Sequence, residues 1–349
     1  MTNRLAPAPW LAPLLLVACS THVTGGGGGG GSVAFEMPRL EGLDLYLPVP
    51  ADNPLTPAKV ALGERLFFDP LLSADEKVSC SSCHKPQHVF SDTVAVSAGV
   101  YDRRGTRNAP SIVNAAYGDS FFWDGRAATL EDQALLPIQA PNEMDMSLDS
   151  VLQRLGGHPE YPERFAAAFP DGEISEPNLA RAIASYVRTL RSGDSPFDRF
   201  FAGDSTALST EARDGFRLFV GRARCSLCHA GPTLNDQSFH NTGVAWRDGM
   251  LADSGRAAVT RTPDALGAFK TPSLRNVART SPYMHDGSIA TLEEVLEFYD
   301  DGGNSNPYQD PDIRPLNLDA SERSELLAFL RSLSGEVTVG EVRLPDTQH

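Results

Sequence analysis

Two segments with the same pattern of thiols and imidazole lie far apart in this chain of 349 residues. One reads Cys-Ser-Ser-Cys-His at 80–84 and the other Cys-Ser-Leu-Cys-His at 225–229. In a C-x-x-C-H segment the two thiols add to the vinyl groups of a haem, and the histidine binds its iron. A zinc site or a redox-active thiol pair does not require that adjacent histidine. We therefore predict two covalent c-type haems, held by Cys80, Cys83 and His84 and by Cys225, Cys228 and His229.

The fifth cysteine, Cys19, ends a segment typical of exported bacterial lipoproteins. Arg4 is the only charged residue before it, and the apolar run that follows is shorter than the ~20 residues that span a bilayer. Residues 16–19 resemble a lipobox, which predicts a signal peptide at 1–18 and a lipid-anchored, glycine-rich tether at 19–45. A plain secretory signal with an incidental cysteine is the alternative. We expect a lipoprotein of the bacterial cell envelope that faces the periplasm.

Charge and composition limit the classes of partner. The chain has 30 Lys and Arg against 45 Asp and Glu, for a net charge of -15. This acidic balance argues against a nucleic-acid partner. A hydrophobic content of 41% is typical of a globular protein. We expect contact with a membrane through the N-terminal lipid alone.

Helical signals dominate the body of the chain. Thr56, which precedes a proline, is a helix start, and Thr129 and Thr291 each precede acidic residues of a first helical turn. Apolar residues recur at helical spacing over 179–190 and 326–333, whereas alternating strand patterns are scarce. We predict a mainly α fold, with two c-type-cytochrome-like helical domains whose long loops each wrap one covalent haem.

Five further segments, taken in order, make a family resemblance specific. They are residues 107–111, 122–127, 141–144, 269–276 and 282–287. With the two haem motifs they make the chain similar to bacterial di-haem cytochrome c peroxidases, including the MauG-type branch, over about residues 55–333. The resemblance implies an N-terminal peroxidatic haem domain at 46–194 and a C-terminal electron-transfer haem domain at 195–349.

The resemblance also implies roles for three side chains near the first haem. Glu143 corresponds to the distal carboxylate, which moves a proton between the two oxygens of peroxide. Gln133 corresponds to an amide of the same distal pocket. Trp123 corresponds to the tryptophan that lies between the two haems and can carry an oxidising equivalent.

A calcium ion between the domains is a further implication of the resemblance. Its ligands would be Asn108 and the backbone carbonyls of Thr280 and Pro282. Ligation by oxygens alone, most of them neutral, is compatible with calcium. We therefore expect two haems and one Ca²⁺.

Two positions depart from the ordinary peroxidases. Tyr299 stands where they carry a methionine as sixth ligand of the C-terminal haem, as in the MauG-type branch, and tyrosinate favours ferric iron. Met250 and Met284 are the alternative ligands. Val100 stands where a distal histidine would block the N-terminal haem, so we expect that haem to be open without prior reduction, with His88 as the rival blocker. Three further histidines are candidate ligands that we expect not to bind iron: His158, His240 and His285.

These features predict an oxidoreductase that reduces hydrogen peroxide to water. Its electrons would come from a small periplasmic cytochrome c or cupredoxin, and the acidic surface would steer a basic donor. One alternative is a MauG-like oxidase that modifies a side chain of a partner protein. The other is a di-haem electron carrier without catalytic activity. The family also makes a homodimer an expectation.

Overall fold

The computed structural model describes residues 35, 37–43, 46–247 and 249–339. The predicted signal peptide, Cys19 and most of the predicted tether lie outside these residues. Across the described part of the chain, no helix combines the length and the apolar character that crossing a membrane requires.

Helices account for most of the regular structure. The α-helices of the described residues are α1 Pro57–Phe67, α2 Cys80–Cys83, α3 Leu130–Gln139, α4 Leu148–Gly157, α5 Tyr161–Ala168, α6 Glu176–Thr189, α7 Pro196–Phe201, α8 Thr210–Val220, α9 Ala257–Thr260, α10 Leu292–Asp300 and α11 Ala320–Arg331. The 3-10 helices are Pro70–Leu72, Pro86–His88, Val100–Asp102, Ala115–Tyr117, Cys225–Leu227, Pro263–Ala265 and Val277–Arg279.

The strands in the described ranges are two residues long and form three antiparallel pairs. They are β1 Arg191–Ser192 with β6 Val337–Thr338, β2 Phe239–His240 with β5 Phe269–Lys270, and β3 Trp246–Arg247 with β4 Met250–Leu251. The mainly α fold with long connections is therefore confirmed.

The predicted helix starts are also confirmed. The Thr56 hydroxyl accepts a hydrogen bond from the backbone N–H of Lys59 at 3.3 Å, and Thr129 caps α3 in the same way. Thr291 and Glu294 form a reciprocal capping box at the start of α10, with distances of 3.2 and 3.0 Å. Such caps satisfy N–H groups that have no partner inside the helix.

A glycine brings two helices into backbone contact ahead of each haem motif. A Cβ atom added to Gly63 of α1 would lie 1.9 Å from the carbonyl oxygen of Ala182 in α6. A Cβ atom added to Gly215 of α8 would lie 1.9 Å from the carbonyl oxygen of Glu325 in α11. Because no side chain fits at either crossing, each helix pair depends on glycine.

Two hydrophobic clusters lie within one compact unit of the chain. The larger consists of residues between Val60 and Leu190, and the smaller of residues between Phe219 and Leu333. Strand β6 returns the end of the described chain to β1, and Val337 packs against the larger cluster. The two clusters support a division near residues 194 and 195, which we retain as a proposal.

The packed body begins before the predicted end of the tether. The side chains of Leu40 and Leu43 are buried, and the carbonyl of Gly42 accepts a hydrogen bond from Arg275 at 3.0 Å. The structure therefore differs from the prediction that the tether extends to residue 45, because these residues bury apolar surface on the body.

Candidate functional site

The first motif forms the short helix α2, which ends at the histidine. The His84 backbone N–H donates to the carbonyl of Cys80 at 2.9 Å. The ring Nδ1 of His84 lies 3.0 Å from the carbonyl oxygen of Phe90, which can only accept a hydrogen bond. Nδ1 therefore carries the proton, and Nε2 has the free lone pair that iron ligation requires.

The second motif repeats this geometry. The His229 backbone N–H donates to the carbonyl of Cys225 at 2.9 Å, and ring Nδ1 donates to the carbonyl of Leu234 at 3.0 Å. Burial lowers the pKa of both histidines, His84 and His229, which favours the neutral form that binds a metal. Each motif thus offers one histidine with Nε2 available.

In each half, a serine that follows a proline binds the backbone next to the carbonyl that holds the motif histidine. The Ser111 hydroxyl donates to the carbonyl of Val89 at 2.5 Å, one residue before the carbonyl that holds His84. The Ser273 hydroxyl donates to the carbonyl of Thr233 at 2.6 Å, at the equivalent place in the second half. This support was not predicted from the sequence, although P-S-x-x-N occurs in both segments, at 110–114 and 272–276.

The donor set of each motif fits a c-type haem. All four motif cysteines are free thiols, so none is used in a disulfide. Cys228 also lies with Asp236 and His240 in a group that could hold a metal ion, with ligand atoms within 4.8 Å of one another. The motif assigns Cys228 to haem attachment, which leaves only two ligands for such an ion.

Glu143 lies beside the first motif. Burial raises the pKa of Glu143, while the charge of Arg126 opposes the rise. Burial raises the pKa of Cys80 to about 12, and the charges of Cys83 and Glu143 contribute, which places this carboxyl near the thiols. No described residue donates a hydrogen bond to the Glu143 carboxyl. It is therefore available to a small polar molecule.

Gln133, the second predicted catalytic residue, lies on α3 and is half-buried. Among the described residues no hydrogen bond joins its side chain to Glu143. The two residues share one structural unit, because Glu143 follows the end of α3 and its N–H donates to the carbonyl of Ala140 at 2.9 Å.

Trp123 lies where the two halves of the chain meet. Its indole N–H donates to the carbonyl of Asn108 at 2.9 Å, and its own carbonyl accepts from the N–H of Lys270 at 2.8 Å. The carbonyl of His285 accepts from the N–H of Asn108 at 2.7 Å. Trp123 and His285 occupy matching positions in the two halves, because each precedes Asp-Gly within a turn that a single antiparallel bridge closes, Phe121–Ala127 in one half and Tyr283–Ile289 in the other.

The seam where the two halves of the chain meet also contains ion pairs that were not predicted from the sequence. Arg107 bridges Asp124, at 2.6 Å, and Asp253, at 2.8 and 2.9 Å, so it joins the two halves directly. Asn114 and Asn276, both with left-handed backbones, each hydrogen-bond to Ser192. No local pattern distinguishes Asp253, so its pairing has no signal in the sequence.

The predicted calcium ligands have oxygens that lack hydrogen-bond donors. The Asn108 amide nitrogen donates to the carbonyls of Val94 and Ala95 at 3.2 and 3.1 Å, which leaves its Oδ1. No described residue donates to that oxygen or to the carbonyls of Thr280 and Pro282. Unpartnered neutral oxygens are suited to Ca²⁺.

Tyr299 lies near the end of α10, beside the second motif. Burial raises the pKa of its hydroxyl well above the ordinary value, and the charges of Cys225 and Cys228 add to the rise. No described residue hydrogen-bonds to this hydroxyl. The rival Met250 is 69% exposed on β4, which makes it a poor candidate for a buried ligand, whereas Met284 is half-buried at the seam.

The remaining candidates differ in what surrounds them. Val100 is completely buried, and its N–H donates to the carbonyl of Glu143 at 2.7 Å. His240 has both ring nitrogens occupied, by Asp310 at 2.5 Å and Asp236 at 2.8 Å, so neither is free for iron. His285 stacks on Phe269 with centroids 3.6 Å apart, His158 packs on Tyr161, and His88 ends a 3-10 helix after the first motif.

Two complete c-type attachment sites in one mainly helical chain define the class of di-haem c-type proteins. The family model described as di-haem cytochrome c peroxidase matches residues 57–206. The chain is 43% identical over 291 residues to the methylamine utilization protein MauG of Methylorubrum extorquens, covering 83% of this chain and 82% of that relative. It is 36% identical over 304 residues to the cytochrome c551 peroxidase of Pseudomonas aeruginosa, covering 84% and 85%.

One solved structure is similar to this chain in both fold and sequence. The crystal structure of a MauG-like protein associated with microbial copper homeostasis superposes with a TM-score of 0.78 at 37% identity, covering 84% of this chain and 95% of that one. The chain belongs to the di-haem cytochrome c peroxidase family, as its resemblance to MauG and the peroxidases predicted. It is therefore a di-haem oxidoreductase of this family, with two haem cofactors.

Proposed function

We propose that this protein reduces hydrogen peroxide to water with electrons from a small periplasmic cytochrome c or cupredoxin. The observation that carries the proposal is Glu143, a carboxyl with a raised pKa and no hydrogen-bond donor, beside the first haem motif. His84 and His229 would hold the two haems, which supply the iron that binds and reduces peroxide. Glu143 accepts a proton from one peroxide oxygen and returns it to the other as water leaves.

Trp123 would carry electrons between the two haem sites. Its indole N–H donates to a neutral carbonyl, that of Asn108, and not to a carboxylate that could take the proton. An oxidised indole there would keep its proton. The position at the seam supports a role for Trp123 in joining the two haem sites electronically.

Val100 supports a peroxide site that is open from the start. Its aliphatic side chain is buried where the ordinary peroxidases carry a histidine, and it offers no ligand to iron. We expect one high-spin and one low-spin haem in the ferric protein as isolated. Two low-spin haems would support the electron-carrier alternative.

Turnover is the direct test. The holoprotein is mixed with peroxide and with a reduced basic cytochrome c or a reduced cupredoxin, without prior reduction of the enzyme. Two one-electron donors should be oxidised for each peroxide consumed. Absence of turnover with either class of donor would reject the peroxidase proposal.

A MauG-like oxidase is the second candidate, because Tyr299 lies beside the second motif. Such an enzyme would use peroxide to modify a side chain of a partner protein. Mass spectrometry of a purified candidate partner, before and after addition of peroxide, would detect the modification. Good donor turnover with an unmodified partner would favour the peroxidase.

The calcium site and the lipid anchor are separate proposals. We propose that Asn108, Thr280 and Pro282 bind Ca²⁺ at the seam, and that Cys19 carries a lipid that holds the protein in the cell envelope, facing the periplasm. Chelation should then alter the haem spectrum, and added Ca²⁺ should restore it.

With four thioethers and one lipidated cysteine, the mature holoprotein should contain no titratable thiol. The proposed homodimer is a separate matter, which light scattering would test.

A further inference from the structure

A short closed turn follows the first haem motif and packs against the segment that carries Glu143. The Gly99 N–H donates to the carbonyl of Arg103 at 2.8 Å, and the Arg103 N–H donates to the carbonyl of Val100 at 3.1 Å. Tyr101 and Asp102 both have left-handed backbones, with φ of 56° and 58°. The turn is therefore tightly closed by its own hydrogen bonds.

Three contacts join this turn to residues 141–145. The Val100 N–H donates to the carbonyl of Glu143 at 2.7 Å. The Arg103 guanidinium donates to the carbonyl of Pro141 at 2.9 Å and to the carboxylate of Asp145 at 2.7 Å. The turn thus binds this segment at three places, through the backbone carbonyls of Pro141 and Glu143 and through the carboxylate of Asp145.

A further contact is steric. A Cβ atom added to Gly99 would lie 2.2 Å from the carbonyl oxygen of Asn142 and 2.7 Å from Cα of Glu143. Both neighbours are backbone atoms, so the segment itself would have to move. The absence of a side chain at Gly99 allows the turn and the segment to touch.

We propose that Gly99 and Arg103 are positioning residues that set the place of the Glu143 carboxyl. The proposal rests on the proposed peroxidase function and adds to it a determinant outside the reacting groups. The carboxyl has no hydrogen-bond donor of its own among the described residues, and its backbone lies between α3 and α4. Its location therefore depends on what holds residues 141–145.

Arg103 is a suitable residue to test because its loss should not unfold the protein. Its side chain is 47% exposed and that of Asp145 is 34% exposed, and ion pairs at such sites contribute little to stability. Arg104 provides a matched control, because its guanidinium donates to the carbonyl of Val96, and among the described residues no hydrogen bond or ion pair joins its side chain to residues 141–145.

The experiment compares Arg103→Gln, Arg103→Lys and Gly99→Ala with two controls, Arg104→Gln and Gly156→Ala. An added Cβ at Gly156 has no atom within 4 Å. Stopped-flow spectroscopy measures how fast each ferric holoprotein reacts with peroxide and with cyanide, as a function of pH. Hydrogen cyanide must lose its proton to bind as an anion, so it reports on the same base without turnover.

We expect Gly99→Ala to slow both reactions by about tenfold or more, since small misplacements of catalytic groups have large kinetic effects. Arg103→Gln should slow both by about fivefold and move the acid limb of both pH profiles to lower pH, because the displaced carboxyl is better solvated. Arg103→Lys should recover part of the rate, and both controls should stay within about twofold.

Several outcomes would overturn the proposal. Rates for Arg103→Gln within about twofold of wild type, with an unmoved acid limb, would do so. An equal loss of rate in Arg104→Gln would show that the slower reaction does not depend on the contacts of Arg103 with residues 141–145. If Gly99→Ala fails to bind two haems, the arginine series decides. A wild-type protein that binds cyanide but leaves peroxide intact would reject the proposed function, while the cyanide rates still test the positioning.

Discussion

The two haem sites share one method of attachment and differ in what stands near it. In each, a histidine donates Nδ1–H to a backbone carbonyl at 3.0 Å, and a serine after a proline supports the adjacent carbonyl. Near the first motif lies the carboxyl of Glu143, and near the second the phenol of Tyr299. The repeated parts are those that would hold a haem, and we propose that the unrepeated side chains, Glu143 and Tyr299, determine how each site reacts.

The charged groups at the edge of each site also differ. Near Cys83, Lys85 pairs with Asp92, whose other oxygen accepts from Ser97 at 2.5 Å. Beside Cys228, His240 lies between Asp236 and Asp310, and its hydrogen bonds to Cys228, Asp310 and Asp236 raise the pKa of its ring to about 10, so the ring is cationic. Each second cysteine therefore has a cationic group and carboxylate nearby, but the cation is lysine in one site and histidine in the other.

The largest expected effect is on the first site alone. Glu143→Gln should slow the reaction with peroxide by about 100-fold or more, since it removes a general acid-base. Stopped-flow measurement of the ferric protein would show this, with Asp149→Asn on the surface of α4 as a control. A rate within tenfold of wild type would mean that the two sites do not differ through Glu143.

The pH dependence should follow the same carboxyl. Because burial raises the pKa of Glu143, the carboxyl takes up its proton at a higher pH than an ordinary glutamate, whose pKa is about 4.3. The protonated form cannot accept a proton from peroxide. The rate should fall about tenfold per pH unit below the raised pKa, and Glu143→Gln should lack this limb.

Tyr299→Phe should change the second site and leave the first unchanged. Loss of a phenolate ligand favours ferrous iron, so the reduction potential of the second haem should rise by at least ~59 mV, a tenfold change in the redox equilibrium. A redox titration followed at both haems would measure it. An unchanged potential would indicate that Tyr299 is not the ligand, and Met284→Leu would then be the variant to examine.

The smallest effects on the reduction potentials are expected from Lys85 and His240, the cationic side chains near the second cysteine of each motif. Lys85→Gln and His240→Gln each remove a cationic group, so each should lower the potential of its own haem, by about threefold in the redox equilibrium, as for partly exposed pairs. The same titration distinguishes the two haems. A shift in the reduction potential of the opposite haem would show that these charged groups do not act on their own site alone.

The sequence predicted what is encoded locally. The haem motifs and the caps at Thr56, Thr129 and Thr291 depend on residues a few positions apart, so their patterns are visible in the chain. The pairing of Arg107 with Asp253 joins distant residues that have no shared periodicity. The contacts of Gly63 and Gly215 are equally invisible, because nothing in the sequence distinguishes a glycine at a helix crossing from one in a loop.

The pairing of β1 with β6 has a consequence for the order in which the molecule is completed. The chain is synthesised from its N-terminus, so Arg191 and Ser192 exist long before their partners Val337 and Thr338. The first half can form its own hydrophobic cluster early, but β1 then still lacks β6, its hydrogen-bonding partner. Only the final strand supplies that partner, so the larger hydrophobic cluster is completed by nearly the last residues of the described chain.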